Sequence, residues 1–187
     1  MKNAIMILLI LATGTFWSCN KVKSLANISV NIPYDQQVQI PRINGDTGNF
    51  PLPPGGMGVS LPALPVQTNA QSYLDQYHTS GKNVINVSLK SLALDILSPA
   101  TQNFDFLDSV QMFISAPGQP EVLVAYDYNV PKGQTTLTLN SNNTNLKDYF
   151  LSDTMYFRMY MHINAFPASG TNLDIRSVFN LVANPLE

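Results

Sequence analysis

The ten residues TMYFRMYMHI (Thr154–Ile163) decide the fold. Met155, Phe157, Met159, Met161 and Ile163 alternate with Tyr156, Arg158, Tyr160 and His162. Successive side chains of a β-strand point to opposite faces, so a period of two makes one face continuously apolar and the other polar and aromatic. A helix would scatter both sets around its axis. The segment reads as a strand whose methionines and phenylalanine fill a core. Its other face aligns two tyrosines, an arginine and a histidine, a composition enriched in binding surfaces.

Working outward, the same period recurs. NLDIRSVFNLV (Asn172–Val182) closes the chain as a strand. In NVINVSLKSLALDIL, Ile85, Val87 and Leu89 alternate, then Leu92, Leu94 and Ile96 continue one position out of phase, which predicts a bulge near Lys90–Ser91. SVQMFISAPGQPEVLVAYDYNV reads as a hairpin, with Pro117 and Gly118 suited to the centre of a type II turn. TTLTLN (Thr135–Asn140) is a further strand. NISVNIPY (Asn27–Tyr34) is a strand with one wet face, and QVQI (Gln37–Ile40) is a short run ending at Pro41. The stretch 41–66 is dense in proline and glycine and is expected to be a loop without central strands, packed through Phe50, Leu52 and Leu61. TNAQSYLDQYHTSG predicts a short helix capped by Thr68 or Asn69 and closed by Gly81. NLKDYFLSD predicts a turn or two of helix capped by Asn145, with Leu146, Tyr149 and Phe150 on one face.

Composition agrees with this pattern. Glutamate is confined to Glu121 and Glu187, and valine, isoleucine, threonine and tyrosine are abundant, which disfavours helix and suits strands. Seven to nine strands, two short helices and no internal repeat predict an all-β fold, an antiparallel β-sandwich of immunoglobulin-like type, over a single domain 27–187. The order of strand, mini-helix NLKDYF and two final strands loosely resembles the sandwich of late-embryogenesis-abundant, water-stress-type domains. That resemblance implies architecture alone.

The chain begins with Lys2 and the apolar run AIMILLILA (Ala4–Ala12), the length of a signal-peptide core and too short to span a bilayer. Its one cysteine, Cys19, follows in TFWSC. Ordinary cleavage before Cys19 would need a small residue at −3, where Phe16 stands. TFWSC instead resembles the relaxed lipobox of Bacteroidetes outer-membrane lipoproteins, with Phe16 and Ser18 in the −3 and −1 places and Trp17 departing from the pattern at −2. The resemblance implies a signal peptide 1–18, lipidation at Cys19 and a short tether 19–26. Surface-exported lipoproteins of that phylum carry acidic residues after the cysteine; Lys21 and Lys23 stand there instead, which implies a periplasm-facing domain. Eight extended residues reach at most ~28 Å, which would keep the domain close to the bilayer.

Charged residues make up 12% of the chain and the net charge is −2, so no electrostatic footprint for nucleic acid is present. Two histidines, His78 and His162, lie far apart, and no G-x-S-x-G elbow, P-loop or dinucleotide fingerprint accompanies them. A zinc site is not expected, because its ligands would have to cluster. Asn103, Asp105 and Asp108 in NFDFLD have the oxygen chemistry of a calcium site but not the spacing of an EF-hand. DSV at Asp108 and DTM at Asp153 resemble the O-glycosylation triplet of periplasmic Bacteroidetes proteins. No catalytic residues and no cofactor are expected.

These observations predict a lipid-anchored, periplasm-facing outer-membrane lipoprotein acting as a non-catalytic binding or assembly module. Its candidate site is the row Tyr156, Arg158, Tyr160 and His162, and its expected partner is an envelope protein or larger assembly. The alternative is a cell-surface glycan-binding lipoprotein that adds Tyr126 or Tyr128; a hydrolase comes third.

Overall fold

The computed structural model describes residues 27–40, 51–168 and 170–184. Cys19, Lys21, Lys23, Phe50 and the signal-peptide and tether segments lie outside the described residues. Among the described residues, ten strands form two antiparallel sheets. β1 (Ile28–Gln39), β4 (Val84–Ser98), β7 (Thr136–Thr138) and β10 (Asn172–Ala183) form the first, in the order β1-β10-β4-β7. β2 (Met57–Ser60), β5 (Leu107–Ala116), β6 (Gln119–Asp127), β8 (Asn140–Ser141) and β9 (Thr154–Ile163) form the second, in the order β2-β9-β5-β6-β8. β3 (Leu64–Gln67) also pairs with β9. The protein is an all-β sandwich.

The core lies between the sheets. From the first come Ile32 of β1, Val87, Leu92 and Leu94 of β4 and Ile175, Phe179 and Leu181 of β10. From the second come Val110, Met112 and Ile114 of β5 and the whole apolar face of β9. The rings of Phe157 and Phe179 meet across the interior at 6.2 Å, and Tyr34 meets Phe179 edge-on at 5.7 Å. The predicted face of α2 (Lys147–Phe150) is buried as well, at Leu146, Tyr149 and Phe150, and the Asn145 side chain accepts from the Lys147 N–H. The β5–β6 hairpin turns at Gly118, whose φ of 77° fits the third position of a type II turn.

Several expectations are corrected. The segments NISVNIPY and QVQI are one strand, β1, paired along its length with β10. Pro33 is tolerated because β1 is an edge strand. The stretch 41–66 is not all loop: β2 and β3 run antiparallel to β9, and Pro65 sits in β3, which has no partner beyond it among the described residues. The expected packing of Leu61 is found, and Leu52 lies partly buried against the core. TTLTLN divides between the sheets, β7 pairing with β4 and β8 with β6, with Leu139 buried at the crossing. The strand count accordingly exceeds the expected seven to nine.

The predicted bulge is present at Lys90, where the β10 register steps from Leu89 to Ser91. Two more were not anticipated. The register also steps over Ile85 and over Leu97, and these are the exposed apolar residues of β4, at 50% and 48%. Ile85 therefore faces solvent, and Val84 takes the buried place assigned to it.

The helix α1 (Ala70–Gln76) starts after Asn69, which holds φ 50° and makes no side-chain cap; the buried Thr68 hydroxyl stands 3.4 Å from the Ala70 N–H instead. Gly81 does not close it. The Thr79 N–H bonds the Leu74 carbonyl and the His78 N–H bonds the Asp75 carbonyl, a Schellman pair that places His78 at φ 50°. A side chain in that left-handed conformation is unfavourable where glycine is free to adopt it. His78→Gly is expected to raise unfolding free energy by about 0.5–1 kcal/mol, read from urea titration followed by circular dichroism.

Candidate functional site

Strand β9 is interior to its sheet, so its alternation translates directly into two faces. Met155, Phe157, Met159, Met161 and Ile163 are all buried at 3% exposure or less. The four candidate residues stand on the outer face, Tyr156 exposed at 37% and the other three half-buried. The structure keeps the row together and turns it away from the core.

Pairing register builds the surroundings of the row. Opposite Tyr156, Arg158, Tyr160 and His162 stand Ser115, Phe113, Gln111 and Ser109 of β5. Opposite Tyr160 and His162 on the other side are Ser60 and Gly58 of β2. Gln111 in turn faces Tyr126 of β6, so Tyr126, Gln111, Tyr160 and Ser60 form a line across four strands. Tyr128 is 57% exposed and stacks on Tyr126 with ring centroids 4.7 Å apart.

Three of the row's side chains lie down on the sheet. The Arg158 guanidinium sits 4.5 Å above the Phe113 ring, donates from Nε to Glu121 Oε1 at 2.7 Å and from Nη2 to Oε2, and donates from Nη1 to the Ser60 hydroxyl at 2.9 Å. Such a forked pair is geometrically specific, and the cation over the ring adds attraction. The pair holds the Glu121 carboxyl below its ordinary range and lifts Arg158 above its own. The Tyr160 ring extends over β2: a Cβ on Gly58 would overlap its hydroxyl and stand 2.9 Å from Cζ. At Gly56, whose φ is 83°, a Cβ would overlap the Ile163 carbonyl oxygen and stand 2.9 Å from His162 Cε1. Both glycines belong to the segment GGMG: Gly58 leaves room for the Tyr160 ring, and Gly56 for the Ile163 backbone beside His162.

At the end of the row, His162 Nδ1 is 3.3 Å from Asp108 Oδ2, and Asn164 donates to Asp108 Oδ1. The Asn164 hydrogen bond, followed by His162 and Lys132, holds the Asp108 carboxyl below the usual carboxylate range. The calcium candidates are engaged otherwise. Asn103 accepts from the Asp105 N–H at 3.1 Å and donates to its carboxylate at 2.9 Å, capping the 3-10 turn Phe104–Phe106; Asp105 also accepts from the Gly133 N–H. Asp108 carries the separate set of partners just given. Among the described residues no group of three or more histidine, cysteine, aspartate or glutamate side chains is placed to hold a metal ion. Likewise among them, no helix is long and apolar enough to cross a membrane. His78 is exposed on α1's closing turn, away from His162 in sequence and on another element.

Sequence reasoning missed Glu121, Phe113, Ser60, Gly56 and Gly58. Glu121 had one available signal, being one of two glutamates in the chain. The others are found through register, which fixes a cross-strand neighbour only once the strands are paired.

No protein-family model matches the chain, and no curated protein matches it. Among solved structures it is similar to a chain of desmodium yellow mottle tymovirus, at 14% identity over 97% of this chain and 96% of that one, with a TM-score of 0.26. A chain of turnip yellow mosaic virus is similar at 12% identity over 100% of this chain and 92% of that one, with a TM-score of 0.29. Scores this low carry no argument about the function of this chain.

Proposed function

We propose that this chain is a lipid-anchored lipoprotein of the outer membrane, facing the periplasm, whose β-sandwich is a non-catalytic module that binds another component of the cell envelope. The anchor is Cys19, and the binding surface is the outer face of the six-stranded sheet around Tyr156, Arg158, Tyr160 and His162. The observation that carries the reading is the arrangement of that face. Tyrosines stand on it exposed or half-exposed, and the central arginine is immobilised by Glu121, Ser60 and Phe113. Side chains already fixed in place lose little conformational freedom when a partner lands on them.

Cross-linking and capture of the tagged protein from its own membranes tests the reading. Tyr160→Ala is expected to abolish capture of the bound component while leaving the protein folded and membrane-attached; capture unchanged by this substitution overturns the assignment of the face. Labelling with a radioactive fatty acid, expected for the natural chain and lost in Cys19→Ala, tests the anchor separately.

A further inference from the structure

The outer face of the six-stranded sheet has a shape and charge that select one kind of ligand. Resting on the binding reading above, we propose that it is a stacking platform for a neutral oligosaccharide lying across the strands from Tyr126 to Tyr160, and that Gly58 is the positioning residue that makes the platform flat.

Three observations converge. The first is flatness. An aromatic ring stacks on a sugar through its face, and a tyrosine standing upright from a sheet offers mostly its edge. Tyr160 does not stand upright: its hydroxyl occupies the space a side chain at position 58 would need, so the ring is laid over β2. The second is spacing. Gln111 pairs with Tyr126 on one side and Tyr160 on the other, so the two tyrosines are two strands apart. Neighbouring strands are about 4.8 Å apart, so the two backbone positions are about 9.6 Å apart, and the Tyr160 ring, laid over β2, extends the span to about 14 Å, close to the length of three hexopyranose units. The third is charge. Arg158 is neutralised by Glu121, and Asp108 faces Lys132 and His162, so the ionic groups on this face are paired within it. What is offered to a ligand between the tyrosines is uncharged hydrogen-bonding chemistry, the Gln111 amide and the Ser60 hydroxyl, together with the planar Arg158–Glu121 pair. Sugar hydroxyls both donate and accept, as these groups require. A charged glycan would meet no unpaired countercharge here. A protein partner would be expected to find a broad apolar centre; here the centre is Phe113, already covered by Arg158, with the half-buried Leu123 opposite it.

The test is titration calorimetry of the intact lipoprotein in sugar-free detergent micelles, after an array of neutral and acidic oligosaccharides has chosen the probes. Cellohexaose, mannohexaose and maltohexaose serve as neutral starting probes and polygalacturonate as the acidic one. At least one neutral oligosaccharide is expected to bind. Tyr160→Ala and Tyr126→Ala are each expected to weaken it by at least about tenfold, as removal of a central aromatic anchor does. Gly58→Ala is expected to weaken it comparably with little change in the urea midpoint, because the added methyl lifts the ring without opening the core. Tyr160→Phe should bind nearly as the natural chain does, since the stacking face is kept, and Tyr77→Ala, at an exposed tyrosine on the turn after α1, should have no effect. An array without neutral hits, a preference for acidic glycans, or affinity indifferent to both Tyr160 and Gly58 overturns the proposal. If neutral glycans fail while a protein is captured from membranes in a Tyr160-dependent way, the ligand class is wrong and the binding reading stands. If both fail, both fall.

Discussion

Phe179→Ala is expected to destabilise the protein by about 3–5 kcal/mol, the cost of emptying a large aromatic site in a close-packed core. Phe179 is fully buried on β10, the strand that pairs with β1 on one side and β4 on the other. Its ring touches Tyr34 from its own sheet edge-on and Phe157 from the facing sheet. Removing it therefore opens a cavity between the two layers and leaves two aromatic rings without a partner. The loss compares with a typical total stability of about 5–15 kcal/mol, so a marginal variant would be largely unfolded at physiological temperature. Urea titration followed by circular dichroism measures it, and Phe179→Leu, which keeps most of the volume, should lose far less. A loss below about 1 kcal/mol for the alanine variant would mean that the two sheets do not meet at this ring.

The second large effect is a loss of stability in alkali, traceable to one hydroxyl. Tyr34 is 8% exposed, and its hydroxyl donates to the carbonyl of the fully buried Thr68 at the entrance to α1. Burial, with Tyr73 nearby, pushes its ionisation well above that of a free tyrosine. The folded protein thus holds a proton that the unfolded chain releases near pH 10. The contribution is fully present below that pH, and stability then falls by about 1.4 kcal/mol for each further pH unit until the folded group itself ionises. Tyr149, buried and donating to the Pro120 carbonyl at 2.8 Å, acts in the same direction. Tyr34→Phe should cost about 1–3 kcal/mol at neutral pH, because the Thr68 carbonyl loses its donor. Above pH 10 its stability should decline less steeply than that of the natural chain, and the two curves should converge. Parallel curves through pH 10–12 would show that Tyr34 ionises with equal ease in the folded and unfolded protein.

Which parts of the molecule were legible follows from the range of the interactions behind them. The two faces of β9 were readable residue by residue, because alternation is a property of one extended chain and needs no partner. The bulge at Lys90 was readable for the same reason, as a slip in the phase of that alternation. The bulges at Ile85 and Leu97 were not. There the extra residue is apolar, so the pattern shows no slip, and only the register against β10 reveals that these side chains have been turned outward. The pairing of β2 and β3 with β9 was hidden by Pro65 and by the glycines around Met57, residues that argue against a central strand and are admitted at an edge. The His78 cap was hidden because a histidine holds the left-handed position where a glycine was expected.

By itself, then, the sequence determined the all-β class, the core face of β9 and the membership of the row Tyr156, Arg158, Tyr160 and His162, all consequences of local periodicity. Tertiary structure alone decided what that row is. It laid Arg158 between Glu121, Ser60 and Phe113, set Tyr160 over Gly58 and brought His162 to Asp108. Residues 37 and 98 positions from Arg158 in the chain became its hydrogen-bonding partners. The physical reason is that alternation fixes which way a side chain points, whereas the lateral order and register of the strands fix what it meets.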